Sequence, residues 1–319
     1  MTLQDLDDLN AHHGVPGARW VNGPAGTPVL DVVTEQCQAR VSAWGAQVVA
    51  WTPLLQGDAA PVPALFCSPR TAWGGGRAIR GGIPVCFPWF GPRADDPQPQ
   101  GRPSPSHGFA RIRPWFVERV VVADNGRVEV TFLLVSDDDT LSLWPHAFEA
   151  RLTASLGTSL GVTLAVTNVD DVAFDGEAAL HTYVQVADVE AVALHGLEGT
   201  RFIDKVAGGA ARYHGREPLR LRGEFDAVFV GTKQTVVVED PGLSRSIRVE
   251  KTGSNATVVW SPGVLKATML SDLGSDTWRS FVCVEAAQLR PQAIALSPGA
   301  THSLGTRITV TPMRRASPD

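Results

Sequence analysis

The stretch EARLTASLGTSLGVTLAVTNV, residues 149–169, decides the fold class of this chain. Apolar or β-branched residues recur at every second position on both sides of a short glycine-bearing segment. A period of two is the side-chain period of a strand that buries one face. The stretch therefore predicts two antiparallel β-strands joined by a turn.

The same alternation recurs along the chain, in RVEVTFLLV (127–135), SRSIRVEK (244–251) and TRITVTP (306–312). Asn-Gly directly before the first of these segments is a typical hairpin turn, so we expect adjacent hairpins around 115–169. No convincing amphipathic pattern of ten or more residues occurs, and the candidate helices are the first dozen residues and the segment near 264–272. We therefore predict an all-β fold.

Length and composition predict one large domain. The 319 residues are 44% hydrophobic and 19% charged, and all-β sandwiches or barrels can exceed two hundred residues as a single unit. We expect a loose N-terminal extension over 1–25, one domain over 26–313 and a C-terminal tail over 314–319. The segment 91–106, GPRADDPQPQGRPSPS, holds five prolines and is predicted to be a loop.

Charge and cysteine usage exclude several functional classes. The net charge is −5 with no lysine or arginine run, which argues against a nucleic-acid or anionic-membrane surface as the main partner. The start, MTLQDLDDLNAHHG, lacks the features of a signal peptide, and no apolar run approaches the roughly 18 to 20 residues of a spanning helix. We expect a cytoplasmic monomer with a small-molecule partner and neither cofactor nor metal. Its reduced thiols would be Cys37, Cys67, Cys86 and Cys283, which show no metal-like spacing.

The first candidate for chemistry is Arg80 in AIRGGIPVCFPWFGPR, residues 78–93. An arginine before Gly-Gly is ordinary on a turn, and that interpretation stays open. However, Pro84 and Pro88 restrict the backbone, and three aromatic residues add rigid bulk. A planar guanidinium held on such a wall suits a phosphate or a carboxylate, which it can bind through two parallel hydrogen bonds.

The segment SHGFAR, residues 106–111, offers His107 and Arg111. The plain alternative is a turn histidine followed by an arginine that starts a strand. Histidine nevertheless has the ordinary pKa nearest to neutrality. If Arg111 lies near Arg80, the two guanidiniums would form an anion site.

Two apolar segments each contain one ionisable residue that could be catalytic. His181 lies in EAALHTYVQVADVE (177–190), where a histidine is more often a core residue, and Glu285 lies in RSFVCVEAAQL (279–289). A carboxylate is costly to bury unless it is hydrogen-bonded or paired. If the two side chains converge, they would form an acid/base pair with shifted pKa values.

Five segments of the chain, taken in order, resemble the hexose-6-phosphate 1-epimerases, a branch of the aldose 1-epimerase superfamily. They are IRGGIPVCFPWFG, SHGFAR, LHTYVQVADV, VVWSP and FVCVEAA. The likeness covers roughly residues 30–312. It implies a large antiparallel β-sandwich of the galactose-mutarotase type, with a cleft on one curved sheet. The site residues that it implies are His181 and Glu285 for catalysis and Arg80, Arg111, Asp204 and His107 for substrate binding.

The resemblance also implies a reaction, the interconversion of the α and β anomers of a hexose 6-phosphate, for which we expect D-glucose 6-phosphate. Opening the ring requires a base at the C1 hydroxyl and an acid at the ring oxygen. We assign Glu285 as the base and His181 as the acid. We expect the two side chains to face one another across a pocket one sugar ring wide, too far apart for a direct hydrogen bond.

Two other functions stay open at this point. One is an aldose 1-epimerase acting on unphosphorylated sugar, for which a pair of arginines in the cleft would have no purpose. The other is a non-catalytic carbohydrate-binding protein, which would need neither His181 nor Glu285. Its stacking platforms would be the tryptophans Trp89, Trp144 and Trp260.

Overall fold

The computed structural model describes residues 2–55, 61–93 and 104–313. The helices in this part of the chain are short, and none is long and apolar enough to cross a membrane. Two of them fall where the sequence offered candidates, and the third begins at a capping box formed by Asp137 and Thr140. The helices are α1 (Leu6–His13), α2 (Asp138–Leu143) and α3 (Gly263–Met269), with 3-10 turns at Pro24–Gly26, Ala110–Ile112 and Trp278–Ser280.

Strands make up most of the described chain. They are β1 (Ala18–Asn22), β2 (Pro28–Val33), β3 (Cys37–Ser42), β4 (Gln47–Pro53), β5 (Val85–Cys86), β6 (Phe116–Val122), β7 (Val128–Val135), β8 (Phe148–Leu156), β9 (Ser159–Asn168), β10 (Phe174–Gly176), β11 (Ala178–Leu180), β12 (Tyr183–Gln185), β13 (Ala193–His195), β14 (Arg201–Asp204), β15 (Ala210–Tyr213), β16 (Phe225–Val230), β17 (Val236–Asp240), β18 (Arg245–Thr252), β19 (Ala256–Ser261), β20 (Phe281–Gln288), β21 (Ile294–Leu296) and β22 (Thr301–Pro312).

Hydrogen bonds join these strands into two large and two small sheets. The site sheet has the order β15-β14-β16-β19-β20-β11-β5, with β12 also paired to β20. The back sheet has the order β13-β17-β18-β22-β9-β8-β7-β6. The small sheets are β1-β2-β3-β4 and the ribbon β10-β21. Because neighbouring strands in all of them run antiparallel, the predicted antiparallel all-β fold is confirmed.

The alternating stretch at 149–169 forms the hairpin of β8 and β9, with Leu156 paired to Leu160 across the turn. Every second residue of β8 is buried, from Phe148 to Leu156. The buried side chains belong to the main hydrophobic core, whereas their neighbours on the strand are only half-buried. The period of two therefore records which face of the back sheet is packed against the rest of the molecule.

The core lies between the two large sheets, where β20 packs across β18 and β22. Seven of the eight residues of β20 are buried, so both faces of this strand are covered. Val282 and Val284 belong to the main core, whereas Ala287 belongs to a separate apolar cluster with Val258. A strand in the middle of the site sheet thus carries an ionisable residue in a largely apolar setting.

The N-terminal segment 1–25 differs from the loose extension that we expected. Leu9 of α1 and Trp20 of β1 are only 1% and 2% exposed, and β1 pairs along its length with β2. Burial of these two apolar side chains holds the segment on the domain. The expected tail 314–319 and residues 94–103 of the proline-rich segment lie outside the described residues.

Candidate active site

A cleft of about 400 Å³ opens on the site sheet. It collects five of the six residues that the sequence singled out, and a larger cleft of about 710 Å³ on the back sheet contains no histidine. The side chains with polar or aromatic groups along the smaller cleft include Arg80, Phe90, His107, Arg111, His181, Lys205, Asp226, Trp260, Lys266 and Glu285.

His181 and Glu285 are cross-strand neighbours. Leu180 pairs with Ala286, and Tyr183 pairs with Cys283, so the antiparallel register is the same before and after His181. This register places His181 opposite Glu285, and residues directly opposite in antiparallel strands project from the same face of the sheet. The two side chains therefore lie side by side on the floor of the cleft.

The His181 Nε2 and the Glu285 Oε1 are 3.4 Å apart, so the expected sugar-wide separation was wrong. Side chains that lie directly opposite on two paired strands are close together, so His181 and Glu285 cannot stand on opposite walls of the cleft. The chemistry does not require such a separation, because the C1 hydroxyl oxygen and the ring oxygen of a pyranose are bonded to the same carbon. A side-by-side pair can reach both oxygens from below.

The pair is deeply buried, with His181 6% and Glu285 1% exposed. Burial lowers the pKa of His181 well below its ordinary value, and the positive charges of Arg111 and Arg80 lower it further. Burial also raises the pKa of Glu285 well above its ordinary value, and the negative charge of Asp226 adds to this rise. Both shifts favour a form of the pair in which Glu285 is protonated and His181 is neutral. Each residue also has a buried polar atom, His181 Nδ1 and Glu285 Oε2, without a hydrogen-bond partner among the described residues.

His107 lines the cleft beside this pair, with its ring centroid 5.8 Å from that of His181. The backbone N–H of Gly91 donates to His107 Nδ1 over 3.3 Å, which places the imidazole proton on Nε2. Burial, followed by the charges of Arg111 and Lys205, lowers the pKa of His107 to about 2. A neutral His107 can donate a hydrogen bond but carries no charge into the cleft.

The His-Gly pair of SHGFAR has a geometric reason. His107 and Gly108 both have positive φ, 64° and 73°, and a Cβ on Gly108 would lie 2.0 Å from the carbonyl oxygen of Phe87. Only glycine tolerates so close an approach of two backbone segments. The turn presses the histidine ring against Phe90, with the ring centroids 4.7 Å apart.

Arg80 is fixed by two partners on the wall of the cleft. Its Nε donates to Asp272 Oδ2 over 3.1 Å, and its NH1 donates to the hydroxyl of Tyr183 over 3.1 Å. Burial alone would lower the pKa of Arg80, but Tyr183 and Asp272 outweigh it and raise the pKa. The rigidity inferred from the sequence therefore has a structural source in these two contacts.

Arg111 lines the same cleft as Arg80, thirty-one residues further along the chain. It lies in a 3-10 turn, and its NH2 donates to the carbonyl oxygen of Ser106 over 2.9 Å. Its buried Nε has no hydrogen-bond partner in the described part of the chain. That N–H is available to an acceptor that enters the cleft.

Asp204, for which the resemblance implies a substrate contact, is not among the residues that line the cleft. Its carboxylate lies 3.3 Å from Arg212 Nε and accepts a hydrogen bond from the backbone N–H of Ala207. The side chains alternate along this segment, so Lys205 lines the cleft instead. Besides Glu285, the cleft contains the carboxylate of Asp226 on β16. Asp226 lies in the segment FDAVFV, whose apolar residues predict a strand that carries one acidic residue.

The three tryptophans proposed as stacking platforms are all mostly buried. Trp144 packs in the core with its ring against Phe87, and the Trp89 Nε1 donates to the carbonyl of Pro105. Trp260 lines the cleft and meets the His181 ring edge to face at 5.9 Å. Of the three rings, Trp260 alone lines the cleft, so the three tryptophans do not form a common stacking surface for a carbohydrate.

Residues 29–309 match the family model described as aldose 1-epimerase. The chain belongs to the aldose 1-epimerase family. This confirms the family inferred from the motifs, and the chain is accordingly an isomerase that acts as an epimerase.

Relatives in this family are similar over most of the chain. One from Escherichia coli strain K12 is 34% identical over 252 residues, which are 79% of this chain and 80% of the relative. One from Cenchrus ciliaris is 30% identical over 293 residues, 89% of this chain and 85% of the relative. Both are named "Putative glucose-6-phosphate 1-epimerase".

Solved structures are similar to this chain in fold. A crystal structure from Salmonella typhimurium, described as a "putative mutarotase", has a TM-score of 0.84 at 29% identity and covers 96% of this chain and 99% of its own. Galactose 1-epimerase from Lactobacillus acidophilus has a TM-score of 0.70 at 14% identity, over 93% and 99% of the two chains, and supports the fold alone. The predicted β-sandwich of the galactose-mutarotase type is confirmed.

Proposed function

We propose that this protein interconverts the α and β anomers of a hexose 6-phosphate, with D-glucose 6-phosphate as the expected substrate. The observation that carries the proposal is the buried His181–Glu285 pair on the floor of a cleft that also contains Arg80 and Arg111. The names of the Escherichia coli and Cenchrus ciliaris relatives support the choice of a phosphorylated hexose.

The pair can carry both proton transfers of ring opening. Glu285 as a carboxylate takes the proton of the C1 hydroxyl, and His181 as an imidazolium gives a proton to the ring oxygen. The C1–O5 bond then breaks while C1=O forms, and rotation about C1–C2 followed by the reverse transfers gives the other anomer. Each well-placed proton-transfer group typically contributes about 10²- to 10⁴-fold.

The single proton held by the pair suits this assignment. Burial favours the form in which Glu285 is protonated and His181 is neutral. A hydrogen bond from the C1 hydroxyl favours the carboxylate form of Glu285, so the proton moves across the 3.4 Å contact to His181 Nε2 when the sugar binds. The pair needs no proton from outside the cleft.

The remaining polar groups of the cleft would bind and orient the sugar. Arg80 and Arg111 are our candidates for contact with the phosphate, and binding energy from that remote group would orient the reacting end. His107, as a neutral donor, and Asp226, as an acceptor, are suited to sugar hydroxyl groups. We do not assign Asp204 a substrate contact, because its carboxylate is engaged outside the cleft.

The test is an anomerisation assay on freshly dissolved α-glucose 6-phosphate, α-glucose and α-galactose, each followed by polarimetry. Faster catalysed anomerisation of the phosphorylated sugar would support the proposal. A preference for free glucose or galactose would assign the protein to unphosphorylated sugar. If the folded protein accelerates the anomerisation of none of the three sugars, the result would favour carbohydrate binding without catalysis.

We further propose that the protein works as a cytoplasmic monomer with one small sugar phosphate as its partner and with no nucleic-acid or membrane surface. The net charge of −5 and the scattered basic residues support only the last part, the lack of a nucleic-acid or membrane surface. Sedimentation equilibrium of the purified protein would test whether it is a monomer, since a stable dimer would give a molecular mass twice that of the chain.

A further inference from the structure

The positive side chains around the cleft differ in whether a carboxylate already offsets their charge. Arg80 is paired with Asp272, whose Oδ2 lies 3.1 Å from the Arg80 NH2. Lys266 is paired with Glu224 at 2.9 Å. These two residues therefore add little net positive charge to the cleft.

Lys205 has no carboxylate within ion-pair distance among the described residues. It directly follows β14, and its backbone N–H donates to the carbonyl oxygen of Asp226 over 2.8 Å, which ties its position to the neighbouring strand. Its side chain is exposed, and its Nζ lies 5.2 Å from the centroid of the Phe90 ring. The ammonium is therefore held on the rim while its charge stays available.

The position of Lys205 is suited to a group that projects from the sugar ring. Phe90 and Lys205 line both the candidate active site and a neighbouring cleft of about 610 Å³, so the ammonium stands where the two meet. In keeping with this position, its positive charge lowers the pKa values of three residues of the cleft, His107, Asp226 and Glu285.

We propose that Lys205 is a specificity-determining residue that contacts the phosphate of the substrate and, with Arg111, supplies the net positive charge that Arg80 lacks. This inference rests on the proposed function, since it names the group that distinguishes phosphorylated from free sugar. A phosphate monoester is a compact, strongly hydrated dianion, and a lysine ammonium binds such a group as a point charge.

The test compares Lys205→Met, Lys205→Arg and Lys266→Met by kcat/KM for α-glucose 6-phosphate and for α-glucose. We expect Lys205→Met to lose about 10- to 100-fold on the phosphorylated sugar alone, the range for one charge-assisted hydrogen bond. Lys205→Arg should keep most of the activity because the charge remains. Lys266→Met should lose less, because its ammonium is held by Glu224 at 2.9 Å and we assign it no contact with the phosphate. Lys233→Met, which changes an exposed lysine outside the cleft, should match the wild type.

Inorganic phosphate supplies a second readout that does not depend on turnover. It should inhibit the wild type competitively, and its inhibition constant should rise by a similar factor in Lys205→Met. Equal losses on the two sugars, or unchanged inhibition by phosphate, would overturn the role of Lys205. A wild type that shows no preference for the phosphorylated sugar would instead overturn the proposed function, before any variant is compared.

Discussion

Replacing Glu285 by glutamine should change how the stability of the protein depends on pH. Glutamine has nearly the same shape as glutamic acid but cannot titrate. The buried pair would then lose its acid, while His181 would keep the burial and the neighbouring positive charges that lower its pKa. The variant therefore isolates the titration of a single carboxyl group.

The expected size follows from counting protons on the pair in the folded and unfolded chains. In the unfolded chain Glu285 titrates near 4.5 and His181 near 6.5, so between these values the two residues hold one proton, on the histidine. In the folded chain the raised pKa of Glu285 favours one proton on the pair in this window as well, so we expect the pair to add little pH dependence to the wild type. In Glu285→Gln the folded His181 is neutral while the unfolded histidine is charged, so stability rises with pH by about 1.4 kcal/mol per unit.

The stabilities of the two proteins should therefore diverge between pH 4.5 and 6.5, by a few kcal/mol at most. Above pH 6.5 the unfolded wild-type chain has lost its proton while the folded Glu285 keeps one, so the raised pKa makes wild-type stability fall as pH rises. The variant lacks this loss. The difference in free energy of unfolding between the variant and the wild type should therefore shift steadily in favour of the variant as pH rises.

Urea unfolding followed by tryptophan fluorescence, at several values between about pH 4.5 and 8.5, measures this divergence. Glu217→Gln is a matched control, because Glu217 is exposed and its carboxylate forms no ion pair among the described residues, and its profile should run parallel to that of the wild type. A parallel profile for Glu285→Gln would refute the reasoning, since it would show that Glu285 titrates alike in the folded and unfolded chains.

Three further outcomes are expected. His181→Ala should lower kcat for anomerisation by at least about 100-fold without unfolding the chain, and near-normal turnover by the folded variant would contradict its assignment. Arg80→Ala should lower kcat/KM for hexose 6-phosphate by roughly 10- to 200-fold and barely change activity on free glucose, whereas equal losses would mean that Arg80 only braces the wall. Gly108→Ala should lower the free energy of unfolding by more than about 3 kcal/mol, because its Cβ would clash with the backbone of Phe87. Gly75 also has a positive φ, 62°, but lies in open space, so Gly75→Ala should cost about 1 kcal/mol. Similar losses in the two glycine variants would contradict the steric argument.

Much of the fold could be predicted from local pattern. The alternation in 149–169 specified β8 and β9 because a strand that buries one face must place apolar residues at every second position. The candidate helix in the first dozen residues is confirmed by α1. Their attachment to the domain was missed because it depends on Leu9 and Trp20 meeting a distant apolar surface.

The candidate site was predictable residue by residue but not in its geometry. His181 and Glu285 stood out because an ionisable group in an apolar strand needs a partner. Their 3.4 Å contact follows from the register of β11 and β12 on β20, which pairs segments about one hundred residues apart. The choice of Asp226 over Asp204 likewise depends on which strand face meets the cleft.

The sequence by itself determined the all-β class, the family and five of the residues that line the cleft, because alternation and short motifs are local properties of the chain. The tertiary structure decided which charges remain available in that cleft. Arg80 is offset by Asp272, 192 positions away along the chain, and Lys205 has no such partner among the described residues. Net charge in a cleft depends on distances through space, and these are set only when the strands pack.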